Sequence, residues 1–218
     1  MTDRPIALET RAQAEDRLFS PSAARNREPI AQVLHEALPA AGGHALEIAS
    51  GTGEHITCFA RALPAWRWLP SELDPASRRS IAAWTLTEGL SNVAPPLAID
   101  ASAATWGVEE QAPFDVLLSL NMIHIAPWSA AQGLFAGAGR LLRPGGLLFL
   151  YGPFQENGQH TAPSNEDFDR SLKSRNPGWG VRDIADLQEL ARGNGLSLQR
   201  RFAMPANNQS LVFARTEH

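Results

Sequence analysis

The chain has 218 residues, 44% of them hydrophobic, which suits one well-cored domain and excludes a disordered chain. Its net charge of -4 gives no basis for nucleic-acid binding by bulk attraction. No apolar run of about 18 residues is present, which excludes a membrane-spanning helix, and a single cysteine, Cys58, excludes an intramolecular disulfide.

Met1 to Glu15 is polar and charged, without the apolar stretch of a secretion signal, so a cytoplasmic protein is expected. Ser20-Pro21 reads as a helix start. Ile30, Val33, Leu34, Ala37 and Leu38 recur at helical spacing until Pro39 and Gly42-Gly43 end that helix. A strand follows at 45–49, then a helix at 54–63, in which Cys58 reads as a small buried packing residue. Trp66 to Ser71 reads as a second strand, Pro75 opens a helix to about Glu88, and Val93 to Asp100 reads as a third strand interrupted by Pro95-Pro96. Phe114 to Leu120 is a fully buried fourth strand, Ser129 to Leu142 a helix, Arg143-Pro-Gly-Gly146 a sharp turn and Leu147 to Tyr151 a fifth strand. Residues 154–182 are polar and rich in Pro, Gly and Asn, a long irregular stretch of the kind that is functional or disordered. Asp183 to Gly193 returns to helix. Leu196 to Ala203 and Ser210 to Arg215 form a closing antiparallel hairpin. Strands alternating with helices imply a parallel sheet covered on both faces, with ligands bound beyond the carboxyl ends of its strands.

The richest stretch is Ala45 to His55. A short apolar strand runs into Gly51-Thr-Gly53, a turn that residues without side chains make cheaply, and then into a helix. A dinucleotide fingerprint needs a third glycine, and here Glu54, His55 and Ile56 follow instead. Glu47 and Glu54 give the turn a negative bias that suits a cationic or zwitterionic ligand over a polyphosphate. S-adenosylmethionine, which carries an ammonium and a sulfonium, has that character. The plainer alternative is a turn that only connects strand to helix.

The order of these motifs resembles the class I S-adenosylmethionine-dependent methyltransferases. Glu47-Ile-Ala-Ser-Gly51-Thr-Gly53 looks like that family's first motif, Phe114-Asp-Val-Leu117 like the start of its fourth strand, and Leu141-Leu-Arg-Pro-Gly-Gly146 like its late Leu-Lys-Pro-Gly-Gly turn. The resemblance covers roughly residues 44–152. It implies a Rossmann-like α/β fold, with a seven-stranded, mostly parallel sheet, helices on both faces and a C-terminal antiparallel hairpin. A narrower resemblance, to small methyltransferase-like proteins of unknown function, rests on six segments. They are Phe19 to Pro29, Asn121 to Trp128, Tyr151-Gly-Pro153, Pro163-Ser-Asn165, Trp179 to Asp183 and Met204 to Asn208. The expected organisation is a single methyltransferase domain over 1–218. It comprises an N-terminal helical cover at 1–43, a cofactor-binding core at 44–153, a lid-like insertion at 154–182 and the last helix with its hairpin at 183–218.

The resemblance implies cofactor contacts for Glu47, Ala49, Gly51 and Gly53. Glu72, Leu73 and Asp74 follow the second strand, where an acid meets the ribose hydroxyls. Glu72 has the expected spacing from Glu47, while Asp74 has the alternative of capping the helix at Pro75. Asp100, with Ala101 beside it, is the candidate for the adenine amino group or, alternatively, a cap. Arg25 and Asn26 start the first helix, which often folds over the cofactor in this family. Asn121 and His124 follow the fourth strand nearest the transferred methyl. His124 is the candidate general base, with local hydrogen bonding as its structural alternative. Tyr151, His160, Ser164, Asn165, Arg182 and Asn207 are candidate acceptor contacts. Arg182 either clamps an anionic group or pairs with Asp183 or Asp186. No metal-ligand spacing appears, so catalysis without a metal is expected.

These readings describe transfer of a methyl group from S-adenosylmethionine to a small-molecule acceptor by in-line displacement, leaving S-adenosylhomocysteine. The expected partner is that small molecule alone, without nucleic acid or membrane, in a monomer or homodimer. The alternatives are a non-catalytic binding or scaffold protein on the same fold and a nicotinamide-dependent oxidoreductase, which the missing third glycine disfavours.

Overall fold

The computed structural model describes residues 11–216; the polar N-terminal reading lies, over 1–10, outside the described residues. The chain divides into two units with the boundary between Ile99 and Asp100. The first begins with an antiparallel hairpin, β1 (Ala12–Ala14) and β2 (Arg17–Phe19), which three-residue strands leave no periodicity to foretell. In α1 (Pro21–Ala37), Ser20 caps the N-terminus by accepting from the Ala23 amide, and Pro21 occupies the first turn, where no N–H is needed. Then come β3 (Gly43–Ile48), α2 (Glu54–Ala62), β4 (Trp66–Ser71) and α3 (Pro75–Thr87). β3 and β4 run parallel from Gly43 opposite Trp66 to Ile48 opposite Ser71. Leu46, Ile48, Phe59, Trp66, Trp68 and Ile81 are buried in this unit's core, with Cys58 buried beside them.

The third strand expected over 93–100 does not form a ladder. Val93 and Leu97 make isolated parallel bridges to Trp68 and Ser71. The Ala94 amide donates to the Trp68 carbonyl at 2.8 Å and the Leu97 amide to that of Pro70 at 3.0 Å. Between them Pro95 and Pro96 have no N–H to offer, so the pairing breaks in its middle.

The second unit contains β5 (Phe114–Leu120), α4 (Trp128–Leu141), β6 (Leu142–Gly152), β7 (Phe154–Glu156), β8 (Gln159–His160), α5 (Pro163–Arg175), β9 (Arg182–Asp183), α6 (Ile184–Gly193), β10 (Leu196–Met204) and β11 (Asn208–Arg215). β5 and β6 are parallel, β11 lies antiparallel to β6, and β10 lies antiparallel to β11 as the expected hairpin. Among the described residues the main sheet has six strands where seven were expected; the proline-broken stretch is the missing one.

Two further expectations change. The Arg143–Gly146 turn is absorbed into β6 as a bulge opposite Asp115, where the pairing jumps from Phe114–Leu142 to Val116–Leu147 and Gly145 takes φ +70°. The stretch over 154–182 is ordered structure. β7 pairs with β8 and β9, and α5 carries a full helix between them. Of the residues α5 buries, Asn165, Asp169 and Leu172, two are polar, so no apolar stripe marks it in the sequence. Among the described residues no helix is long and apolar enough to cross a membrane.

Candidate active site

In the first unit the chain leaves β3 through a turn in which Ala49, Gly51 and Gly53 all have positive φ, at 61°, 61° and 94°. Glu72, at the end of β4, braces that turn: its Oε2 accepts from the Gly51 amide at 2.9 Å, and its Oε1 from the Leu73 amide at 2.8 Å. A side chain on Gly51 would meet nothing within 4 Å, whereas one on Gly53 would come within 2.8 Å of the Ile81 Cα. Gly53 is thus required by packing, and Gly51 faces open space. Asp74 takes the structural alternative. It caps α3, accepting from the Ala76 and Ser77 amides and the Ser77 hydroxyl. Burial would raise its pKa, but those hydrogen bonds outweigh it and hold the carboxyl below its usual range.

Glu47 is 1% exposed, and its Oε2 has no hydrogen-bond partner. Burial lifts its pKa to about 7, with the Ser50 hydrogen bond opposing and the charge of Glu72 adding to the rise. Glu54, expected to give the turn part of its negative bias, is buried and paired instead. Its carboxylate is turned to the Ser20 amide at 2.6 Å, the Thr52 hydroxyl at 3.0 Å and, at 3.5 Å, Arg27. Asn26 accepts from His55 Nε2 at 2.7 Å, and burial lowers the His55 pKa to about 4. Arg25 is exposed and donates to the Ser22 hydroxyl.

In the second unit Asp100 caps its own turn, accepting from the Ser102 amide at 2.8 Å and hydroxyl at 2.7 Å, with Ala101 buried beside it. Asn121 leaves β5 at φ 60°, its amide bonded to the carbonyl of Tyr151, which is buried at the end of β6. His124 is sealed: neither ring nitrogen has a partner, Phe154 packs edge-on against it at 5.2 Å, and a Cβ on Gly152 would strike Nε2 at 2.4 Å. Burial lowers its pKa to about 3, with the nearby Arg182 charge adding to the fall.

Arg182 does not pair with Asp183 or Asp186. Its guanidinium donates to the carbonyls of Ile123, Ala126 and Gly178 at 2.8–2.9 Å and lies 5.5 Å from the Trp128 ring. It pins the turn that carries His124. Arg182→Ala is therefore expected to cost about 2–3 kcal/mol in chemical denaturation, and Arg182→Lys most of that, because one ammonium cannot reproduce the planar fork.

Asn165 is buried and donates to the Thr161 hydroxyl and the Asn207 carbonyl, while the Asn207 side chain donates to Ser164 at 3.0 Å. His160 Nε2 lies 3.4 Å from Asp169, which also takes Lys173 at 2.7 Å. Beside this network a cavity of about 390 Å³ has a mixed lining that includes Glu156, Thr161, Arg201, Ala203, Met204 and Asn207.

The family model for "Protein of unknown function (DUF938)" matches residues 17–215. The chain belongs to the DUF938 family. Among solved structures, this DUF938 chain is similar to an O-methyltransferase family protein from Burkholderia thailandensis, at TM-score 0.76 and 18% identity over 90% of this chain and 58% of that one. It is similar to a putative O-methyltransferase from Nostoc punctiforme, at 0.75 and 17% over 89% and 57%. It is also similar to a putative sarcosine dimethylglycine methyltransferase from Galdieria sulphuraria, at 0.70 and 12% over 94% of both chains. The DUF938 chain spans a little over half the length of the first two. Identities this low show the fold alone, that of class I methyltransferases.

Sequence reasoning missed several residues that shape the DUF938 site. Ser50, Ser71 and Ser80 are buried hydroxyls around the glycine turn, and Thr52 sits between its glycines. The Ser71 hydroxyl donates to the Glu47 carbonyl at 2.7 Å, and the Ser50 hydroxyl accepts from the Ser71 amide. Ser50 just past β3 and Ser71 at the end of β4 form too common a pattern to single out, and Ser80 lies within α3.

Proposed function

We propose that this DUF938 chain is an S-adenosylmethionine-dependent methyltransferase acting on a small polar molecule. The observation that carries the reading is Glu47, a buried carboxylate with one oxygen unpartnered, beside a turn that presents Gly51 to open space. An acid in that condition favours a cation, and the bare Gly51 leaves room for one to approach. S-adenosylmethionine, when bound, supplies an activated methyl group. In this reading Glu47 answers its ammonium and Glu72 accepts from the ribose hydroxyls while bracing the Gly51 amide. The cofactor roles of Asp100, Ala101 and Asn121 rest on the sequence resemblance. The neighbour described as a putative sarcosine dimethylglycine methyltransferase supports a small acceptor.

His124 is not the base in this proposal. A sealed imidazole with pKa about 3 is a poor proton acceptor near neutrality. That observation also favours a second reading, a protein that binds the cofactor without transferring its methyl.

Calorimetry with S-adenosylmethionine, S-adenosylhomocysteine and NADH tests the cofactor; tight binding of NADH alone would refute the proposal. A metabolite screen that yields no methylated product despite cofactor binding would favour the second reading. Affinity also carries a pH signature. Glu47 is neutral below about pH 7 and charged above it. A cationic ligand prefers the charged form, so the association constant is expected to fall by up to about tenfold per unit as pH drops below 7. Glu47→Gln should flatten that limb, and an unchanged limb would remove Glu47 from the site.

A further inference from the structure

Thr52, at the centre of the glycine turn, is held on both its oxygens by side chains that also hold a strap of backbone, residues 17–20, that runs from the N-terminal hairpin into α1. Its carbonyl accepts from the Ser80 hydroxyl at 2.6 Å, and its hydroxyl donates to Glu54 Oε2 at 3.0 Å. The Ser80 oxygen accepts in turn from the Leu18 amide at 2.8 Å, and Glu54 Oε2 from the Ser20 amide at 2.6 Å. Strap, Ser80, Thr52 and Glu54 therefore close a ring of four hydrogen bonds. Ser80 is 0% and Glu54 3% exposed, so water competes poorly for these contacts. The strap is fastened from its other side as well. Trp84 Nε1 donates to the Leu18 carbonyl at 2.9 Å, the Phe19 ring meets Trp84 at 5.0 Å, and the Arg17 guanidinium lies 5.2 Å from the Trp84 ring.

We propose that residues 17–20 form a strap that positions the glycine turn, with Ser80 and Glu54 as its positioning residues, so that strap closure and cofactor binding favour one another. This rests on the cofactor reading above. The turn has two sides. On one, the Gly51 amide meets Glu72 and the Gly51 Cα faces open space. On the other, Thr52 is tied to the strap. A ligand seated on Gly51 fixes the backbone that Ser80 and Glu54 grip, and a released strap leaves that backbone free to move. Coupling of this kind is reciprocal: the factor by which the strap strengthens binding is the factor by which the ligand stabilises the strap.

The test combines amide hydrogen exchange with calorimetry on the full chain, using S-adenosylhomocysteine as the probe. In the wild type, the ligand is expected to slow exchange of the Leu18 and Ser20 amides. Ser80→Ala removes the shared hydroxyl. Leu18→Pro removes the strap's N–H, together with the leucine side chain, and leaves the buried hydroxyl in place, so it tests the coupling without altering the core of α3. Both variants should weaken binding roughly tenfold, with unchanged protection of the β3 and β4 amides as evidence that the fold is intact. Glu54→Gln keeps an acceptor for Ser20 and Thr52 and should bind nearly as the wild type does, whereas Glu54→Ala should not. The proposal is overturned if the ligand leaves strap exchange unchanged, or if strap-released variants bind as tightly as the wild type. A wild-type chain that ignores S-adenosylhomocysteine would sink the cofactor reading itself, and the coupling with it.

Discussion

Replacing Gly53 with alanine should cost about 3 kcal/mol of stability or more, while the same change at Gly51 should cost only about 1. Both glycines have positive φ, so both variants bear the backbone strain of a left-handed L-residue. They differ in what the new methyl meets. At Gly53 it lies 2.8 Å from the Ile81 Cα and 3.1 Å from Ile81 Cγ1, a backbone and a buried side chain that cannot yield without moving α3. At Gly51 it meets nothing within 4 Å. The functional consequences should run the other way. Gly51→Val keeps a folded core and projects bulk into the side of the turn assigned to the cofactor, so S-adenosylhomocysteine binding should be lost. Urea denaturation and calorimetry on the same variants separate the two effects. A stable Gly53→Ala variant would mean that the turn packs on α3 differently, and a Gly51→Val variant that binds normally would remove the ligand from that side.

The contrast between these glycines marks where sequence reading stops. That both belong to a tight turn follows from their spacing after an apolar strand. Which one packs and which one faces space depends on Ile81, nearly thirty residues away, and no local pattern carries that. The helix starts at Ser20-Pro21 and Asp74-Pro75 were legible because capping chemistry is local. The same locality explains why Asp74 was recognisable as a cap, whereas Glu72 needed the structure to show its bond to Gly51. Over 93–100 the sequence shows both the strand and its flaw, and the two prolines suffice to break the ladder. The failure over 154–182 has another cause. α5 stands on the buried polar Asn165 and Asp169, so a helix whose buried face is largely polar reads as loop. Arg182 was legible only as a cation; its use on three backbone carbonyls is long-range geometry.

Buried ionisable groups make a second large effect visible in acid. Above pH 6.5 the imidazoles of His55 and His124 are neutral in folded and unfolded chains alike. Below it the unfolded chain binds a proton at each, which burial makes the folded chain refuse until about pH 4 at His55 and about 3 at His124. Each histidine therefore contributes stability that is present above 6.5 and lost as pH falls, at about 1.4 kcal/mol per pH unit. Glu47 opposes them. Its folded form keeps a proton up to about pH 7, while the unfolded carboxyl releases it above 4.5, so its contribution grows as pH falls across that range. Between 6.5 and 4.5 two histidines act against one glutamate. The net loss is one proton's worth, about 3 kcal/mol over the window. The depressed carboxyls of Asp74 and Asp169 titrate mainly below it. His124→Leu removes one histidine and two unpartnered buried nitrogens, so stability at pH 7.5 should change little while the slope between 6.5 and 4.5 falls close to zero. Glu47→Gln removes the opposing group and should roughly double the slope. Urea denaturation of the three proteins at half-unit pH intervals measures all of this, and an acid limb in His124→Leu as steep as the wild type's would mean that His124 is not held neutral by burial.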